Sequence, residues 1–461
     1  MMPTVWSVRG SVICGLILAI LYTASPLFML TLAGSALLIV AAGRGLDASE
    51  RRRLTALLAG ALAVRFIFIG IVLVGGIPYL NDLSIGALRG DDAYYMGRAI
   101  RARDIILGLT QGKYDYFVVT DEYGRTSYLQ LLTVFQVLFG PTPYGMRAFN
   151  ALLFVTGAVI LFRLARRGFG EWPSFVALTV ILFLPSLFVS SVSLMKEPAY
   201  FLTTAVLLWC ARTILRRESW RNALIAIAAG AVCLWILDDL RRGALTLAIA
   251  GIITSIVMLI AFANARRAVA AMALAVIVVA LALTQENVRA RATDAVTSVA
   301  KTHGGHVFTV GHAYKLLDDG FYKFPGTPIA WGIQLTEDQA LRFLIRAGIS
   351  FIVTPLPWEM VSLSELAFFP EHVLWWLIVV LMPIGCVAGW TRDARTTALF
   401  AGFVLPTAAA LAVTNGNVGT LLRLRGLVTP LMIWVAALGA FALAERMLAR
   451  RAGESTAEEA R

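Results

Sequence analysis

Leu54–Gly75 reads LTALLAGALAVRFIFIGIVLVG, 22 residues in which Arg65 is the one charge. As an α-helix this run is about 33 Å long, enough to cross a hydrocarbon layer of about 30 Å. Phe175–Val192 and Ala268–Thr284 are of the same kind. Inside a bilayer only helices and closed barrels satisfy every backbone polar group, and the alternating pattern of a barrel strand is missing here. The whole chain agrees with its most apolar stretch. It has 461 residues, 59% hydrophobic and 15% charged, with mean hydropathy +0.77. A soluble chain carries about a quarter charged residues. The sequence therefore predicts an all-α polytopic membrane protein.

Working outward, the apolar runs give twelve expected spans at about 11–24, 26–42, 54–75, 146–165, 173–192, 198–214, 222–237, 243–262, 267–284, 372–390, 396–413 and 427–445. The first two form a hairpin split at Pro26 rather than a cleaved signal, because no small-x-small site follows a single short core. The membrane domain covers 1–445, and 446–461 is a polar cytoplasmic tail. Two outer loops are long, about 76–145 and 285–371. Within them Ser127–Phe139 and Phe343–Val353 are apolar but short for a span, and read as interfacial or re-entrant helices. Cys14, Cys210, Cys233 and Cys386 all lie in apolar runs, without a CxxC pair, and suggest neither a disulfide framework nor a zinc site.

The net charge of +12 follows from orientation. With the N-terminus inside, the inner segments hold 20 Lys and Arg against 9 Asp and Glu, and the outer segments 19 against 19. Arg65, within a span, completes the balance. All the surplus positive charge is then cytoplasmic, as the positive-inside rule expects. No basic domain exists to bind nucleic acid.

Charged residues also stand in short turns assigned to the outer face: Ser193–Pro198 with Lys196 and Glu197, Asp238–Arg242 with Arg241 and Arg242, and Asn415–Arg425 with Arg423 and Arg425. Ionisable groups at membrane helix ends are costly unless paired or hydrated, so their clustering marks a candidate site. Shortly after the third span comes Gly90-Asp91-Asp92-Ala93-Tyr94-Tyr95. Two adjacent carboxylates repel, and at least one requires a cation, a metal or a proton. Such a group can take a proton from an attacking hydroxyl. His303, His306 and His312 lie in a Gly-rich stretch and His372 beyond it; no acidic or thiol partner falls at a metal-site spacing, and a hydrated loop is the expectation for the first three.

The order of these features resembles the membrane glycosyltransferases of the GT-C fold, in particular the protein O-mannosyltransferase and aminoarabinose transferase group. The likeness rests on Asp91-Asp92 with Tyr94 or Tyr95 and then Ala99, on Val134–Gly140 followed by Arg147, on the turn Ala165–Gly170, on Pro185, and on Glu197-Pro198, and so covers about 54–215. Beyond it, Asp238–Arg242 and Thr414–Arg425 resemble segments of bacterial envelope-polysaccharide relatives. The resemblance implies a GT-C-like bundle in the inner (plasma) membrane with its active site on the non-cytoplasmic face. It implies transfer of a sugar from a polyprenyl-phosphate donor to a glycan, lipid or protein acceptor, with membrane lipids as the other partners. Asp91 would be the base, and Asp92 or Glu197 would orient the acceptor or hold a divalent cation if the reaction uses one. Tyr94 and Tyr95 would line the substrate site, and Lys196, Arg241, Arg242, Arg423 and Arg425 would hold the lipid phosphate. Two other functions compete: a polysaccharide polymerase or ligase using polyprenyl-linked glycans, and a multi-helix transporter, which would show internal repeats.

The orientation is testable by reporter fusions. Fusions after Arg167, Arg217 and Arg267 should read cytoplasmic and fusions within Gln285–Leu341 external; an external signal at Arg217 overturns the arrangement.

Overall fold

A computed structural model of the chain describes residues 25–75, 91–109, 112, 126–216, 219–309, 311–322, 334–360 and 363–459, with 10–13, 15, 16, 18, 19 and 22 near the N-terminus. The described residues are all-α. Eight helices are long and apolar enough to cross a membrane, nine if one bent pair counts as a span. This corrects the expected twelve. Of the run 11–24 only eight residues are described, Pro26–Ala42 forms a helix of only 17 residues, and the runs 372–390 and 396–413 are the two arms of one element broken at Asp393.

The chain divides into two compact units. The first comprises 1–163, 178–210 and 224–245. It opens with α1 (Pro26–Ala42) and α2 (Ala48–Gly75), followed by α3 (Asp91–Ile106), α4 (Ser127–Phe139) and α5 (Pro143–Phe169). The expected interfacial segment 127–139 is thus one short apolar helix. Phe28, Ile69, Ala148 and Val192 form a core, with the Phe28 ring edge-on to Phe66 and Tyr144. Gly157 lets the α5 backbone approach Phe201 and Leu202; an added Cβ would stand 3.1 Å from the Leu202 Cα. Close approach at small residues is how helices gain contact where lipid offers no hydrophobic driving force.

α6 (Glu171–Phe183) and α7 (Pro185–Val192) are the bent pair, 59° apart at Leu184. Pro185 lacks an N–H, so the helix cannot continue through it, and the last carbonyls of α6 lose their partners. Arg65 answers this break. It is fully buried and donates from Nη2 to Leu182 O at 2.7 Å, from Nε to Ser191 Oγ at 2.8 Å and from Nη1 to Ala61 O at 3.1 Å. Its guanidinium also lies 4.9 Å from the Phe188 ring centre. The single charge of the opening stretch is a brace for a broken helix.

The second unit comprises 164–177, 211–223 and 246–461. α8 (Glu197–Arg216), α9 (Trp220–Leu240) and α10 (Ala244–Ala261) each contribute residues to both units. Then come α11 (Ala265–Thr284), which has no buried residue, α12 (Glu286–Val307), α13 (Glu337–Val353), the short α14 (Leu363–Ala367), α15 (Phe369–Thr414), α16 (Val418–Arg425) and α17 (Thr429–Glu459). The expected loop 285–371 is therefore largely helical, built on a core of Ala300, Leu316, Phe343 and Ala347, and α17 continues into the polar tail.

A straight helix of 46 residues would be about 69 Å long. α15 instead leaves helical geometry at Asp393 (φ −151°, ψ 88°), and a side chain on Gly389 would collide with Thr397 Oγ1, eight residues on. Residues that far apart in a straight helix are separated by about 12 Å, so the two arms fold back. Asp393 caps the second arm, accepting from Thr396 N at 3.2 Å and Thr396 Oγ1 at 2.7 Å, and Arg212 Nη2 donates to it at 2.9 Å. Gly385 and Gly439 then bring α15 against α17, where added carbons would strike Val435 O and Leu381 O. Replacing Gly385 by Val should destabilise the folded protein by about 1–3 kcal/mol or more through overpacking against rigid backbone. Thermal unfolding in detergent measures this, and a neutral result would show that the helix pair is not held at this contact.

Candidate functional site

In the first unit Asp92, the second of the paired acids, meets the turn that carries Lys196 and leads to Glu197. α7 ends at Val192, Ser193 is extended, and Glu197 opens α8 with Pro198 in the first turn, where its missing N–H costs no bond. The intervening turn, 193–196, leaves backbone groups without helical partners. Asp92, 2% exposed, takes one of them: its Oδ1 accepts from Leu194 N, while its Oδ2 pairs with Arg147 Nη2. Asn150, also buried, takes two more, donating from Nδ2 to Ser193 O at 2.7 Å and Met195 O at 2.9 Å. The two carbonyls fix that atom as the nitrogen. The same nitrogen stands 2.7 Å from Tyr128 Oη, so its two hydrogens are shared among three acceptors.

Glu197, at the exit of this turn, pairs with Arg241 Nη2 at 3.4 Å. Both side chains are partly shielded from solvent. An acid in a first helical turn also suits the helix dipole. Around Asp92 the aromatic residues stack edge to face: Tyr94 on Tyr95 at 5.7 Å, and Tyr95 on Tyr128 at 5.6 Å. Arg98 bonds the Tyr94 hydroxyl and lies 4.8 Å from its ring centre. Tyr95 is buried and Tyr94 half-buried. Asp91 begins α3, and its side chain lies outside the described residues. Lys196 is half-buried beside Glu197, and Arg242 is exposed. Asp239 belongs to the architecture: its carboxylate accepts from Ser127 N at 2.7 Å and from Ser127 Oγ, closing the start of α4.

In the second unit the arginine pair of α16 divides. Arg423 is half-buried. Arg425 is 3% exposed and points into the end of α13, donating to Phe351 O and, at 3.4 Å, to Ser350 O. Trp375 and Trp376 both donate to Ile352 O, at 2.9 and 3.1 Å, and His372 Nε2 donates to Val353 O at 3.1 Å. All four terminal carbonyls of α13 are thereby satisfied by side chains. Arg425, expected to face a lipid phosphate, is instead committed to a helix end whose dipole it neutralises.

The histidines depart from the expected hydrated loop. His303 and His306 lie in the last turns of α12, and His303 is fully buried. Burial lowers its pKa to about 4, so the ring is neutral at physiological pH. His312 Nδ1 is 3.3 Å from Glu365 Oε1. Among the described residues, no three His, Cys, Asp and Glu side chains converge as a metal site.

Asn150 and Tyr128 were not singled out by sequence reasoning, and Arg147 was noted without a role. The available signal was a lone Asn inside the apolar run 146–165, since a polar side chain in a span has to find a partner. The partners themselves are backbone atoms, which no motif announces.

The Asp92–Arg147 pair gives a test. Arg147→Met leaves a buried carboxylate uncompensated and should cost about 3–5 kcal/mol. Adding Asp92→Asn to it should recover part of that loss. Thermal unfolding of the single and double variants in detergent decides the matter; an Arg147→Met protein as stable as the parent would mean that Asp92 is not held by this pair.

No protein-family model matches the chain, and no curated protein or solved structure matches it either. Helix length and hydropathy establish a multi-pass helical membrane protein, with a buried polar cluster gripping the turn before α8.

Proposed function

We propose that the chain is an integral membrane glycosyltransferase that moves a sugar from a polyprenyl-phosphate donor to a glycan, lipid or protein acceptor on the non-cytoplasmic face of the inner membrane. The observation that supports this best is the turn 193–196, held by Asp92 and Asn150 and presenting Glu197 at its exit. A site built to hold a carboxylate in place suits a reaction in which a hydroxyl is oriented and deprotonated.

In this reading the acceptor oxygen attacks the anomeric carbon, the bond from that carbon to the phosphate oxygen breaks, and the phosphate keeps the electron pair. The hydroxyl proton goes to a carboxylate. Both oxygens of Asp92 are already engaged, by Arg147 and by Leu194 N, so Asp92 positions and Asp91 is the base. Glu197 orients the acceptor. Arg241, paired with Glu197, and the chain neighbours of that pair, Lys196 and Arg242, supply positive charge for the leaving phosphate, Arg as a planar fork and Lys as a point charge. Tyr94 and Tyr95 supply aromatic surface. A transporter would carry broken helices in matching positions of two halves; among the described residues a single bent pair is found. A polymerase or ligase would draw on loop arginines and histidines, and of these Arg425 and His303 are taken up in packing.

Asp91→Asn should lower transfer by about 10²–10⁴-fold, the usual loss for a general base, with normal insertion. Arg242→Ala should raise the donor KM with little change in kcat, and Arg242→Lys should restore it in part. Both are read by sugar transfer in membranes supplied with a labelled lipid-linked donor. Full activity of Asp91→Asn at normal expression removes the base assignment.

A further inference from the structure

The proposed reaction does not use α13, and this helix carries three stripes of side chains where a helix on a water-facing surface carries two. Ala340, Phe343, Ala347 and Phe351, three or four residues apart, are its buried side. Gln339, Arg342, Arg346 and Ser350 repeat the same spacing as a polar stripe. Leu341, Ile345, Ile349 and Ile352 repeat it a third time, with Leu344 beside them. This third stripe is apolar yet open: Leu341, Ile345 and Ile349 are 58, 54 and 55% exposed. Each residue turns a helix by about 100°, so the three stripes divide the circumference into rough thirds.

Both ends of α13 are tied to spans of the second unit. At its start, Arg289 donates from Nε to Glu337 Oε1 at 3.1 Å and from Nη1 to Leu283 O at 3.2 Å. One side chain therefore bridges the first residue of α13 and the last turn of α11. At its end, Trp375 and Trp376 donate to Ile352 O and His372 donates to Val353 O, all from the opening turns of α15. Among the described residues α11 and the first arm of α15 are consecutive spans, so the end of one and the start of the other belong to the same membrane face. A helix of 17 residues, about 26 Å long, with both ends at that level runs along the surface and does not dip into the layer. Trp376, exposed at the α15 end, is a residue type enriched at this boundary.

The other two stripes have partners. The buried side packs into the core with Ala300 and Leu316. On the polar side Arg346 Nη1 donates to Leu316 O at 3.0 Å and Arg342 pairs with Asp338 at 2.6 Å. Only the apolar third faces outward, and a continuous exposed apolar stripe marks an interaction surface. Trp358, Leu363 and Leu366, in the stretch that joins α13 to α15, are exposed as well. The two anchors set this surface at the edge of the hydrocarbon, where an amphipathic helix lies with its apolar side among acyl chains and its charged side in water. We propose that α13 is an in-plane membrane helix whose Leu341, Ile345, Ile349 and Ile352 stripe is sunk among the acyl chains of the leaflet that α15 enters, fastening the core of α12 and α13 to that leaflet.

The test places a nitroxide at one position at a time on the full chain, in a background without the native cysteines, reconstituted into vesicles of phosphatidylcholine and phosphatidylglycerol. Labels at Leu341→Cys, Ile345→Cys and Ile349→Cys should collide readily with oxygen and poorly with a water-soluble nickel chelate. A label at Arg342→Cys should do the reverse. Nickel-accessible labels at Ile345→Cys and Ile349→Cys overturn the proposal. Labels shielded from both reagents overturn it too, because a second copy of the chain or another protein then covers the stripe. Should the cysteine-free chain not fold, the wild-type chain in the same vesicles is photolabelled with a lipid-soluble aryl diazirine. Adducts on Leu341, Ile345 and Ile349 are the expected result, and a Glu337–Val353 segment free of adducts overturns the proposal.

Discussion

A backbone carbonyl or amide left open in a membrane protein's interior has no water to turn to, and this constraint organises the described polar side chains. Wherever a helix breaks or ends within the packing, a side chain from elsewhere arrives. Arg65 meets Leu182 O beside the Pro185 bend. Asp92 and Asn150 meet the groups of the turn 193–196. Arg425, Trp375, Trp376 and His372 meet the end of α13. An unsatisfied group in such surroundings costs several kcal/mol, so these side chains are as much a part of the fold as the apolar core.

The same constraint separates residues of one chemical type. Adjacent carboxylates Asp91 and Asp92 look equivalent in the sequence. The second is consumed by an arginine and a backbone amide. Arg423 and Arg425 stand two residues apart on a short helix, yet Arg425 is turned into the protein. In Asp238-Asp239 the second residue closes a helix start. Several charged residues near the membrane are thus structural braces, and burial marks them.

Much of the fold was legible because hydrophobic length is a local property. The runs 54–75, 146–165, 222–237, 243–262 and 267–284 each lie within or close to one helix of the structure. The runs on either side of Asp393 were legible as two helices, but their close fold-back was not, because it depends on a tight contact between Gly389 and Thr397 and on a cap anchored by Arg212. His303 read as loop because Gly304 and Gly305 follow it, and its hydrogen-bond partner, the Asn415 carbonyl, lies more than a hundred positions away. The role of Asn150 was hidden for the same reason: its ligands are main-chain oxygens, present at every residue and specified by geometry alone.

α11 offers the opposite lesson. Twenty residues long and without one buried side chain in this chain, it contributes no shape to any core. Among the described residues none buries a Val, Leu or Ile of this helix. What selection can act on there is span length and greasiness. Sequence drift should therefore run fastest along this helix, with apolar residues exchanging freely, while the glycines of α15 and α17 stay fixed by the backbone pressed against them.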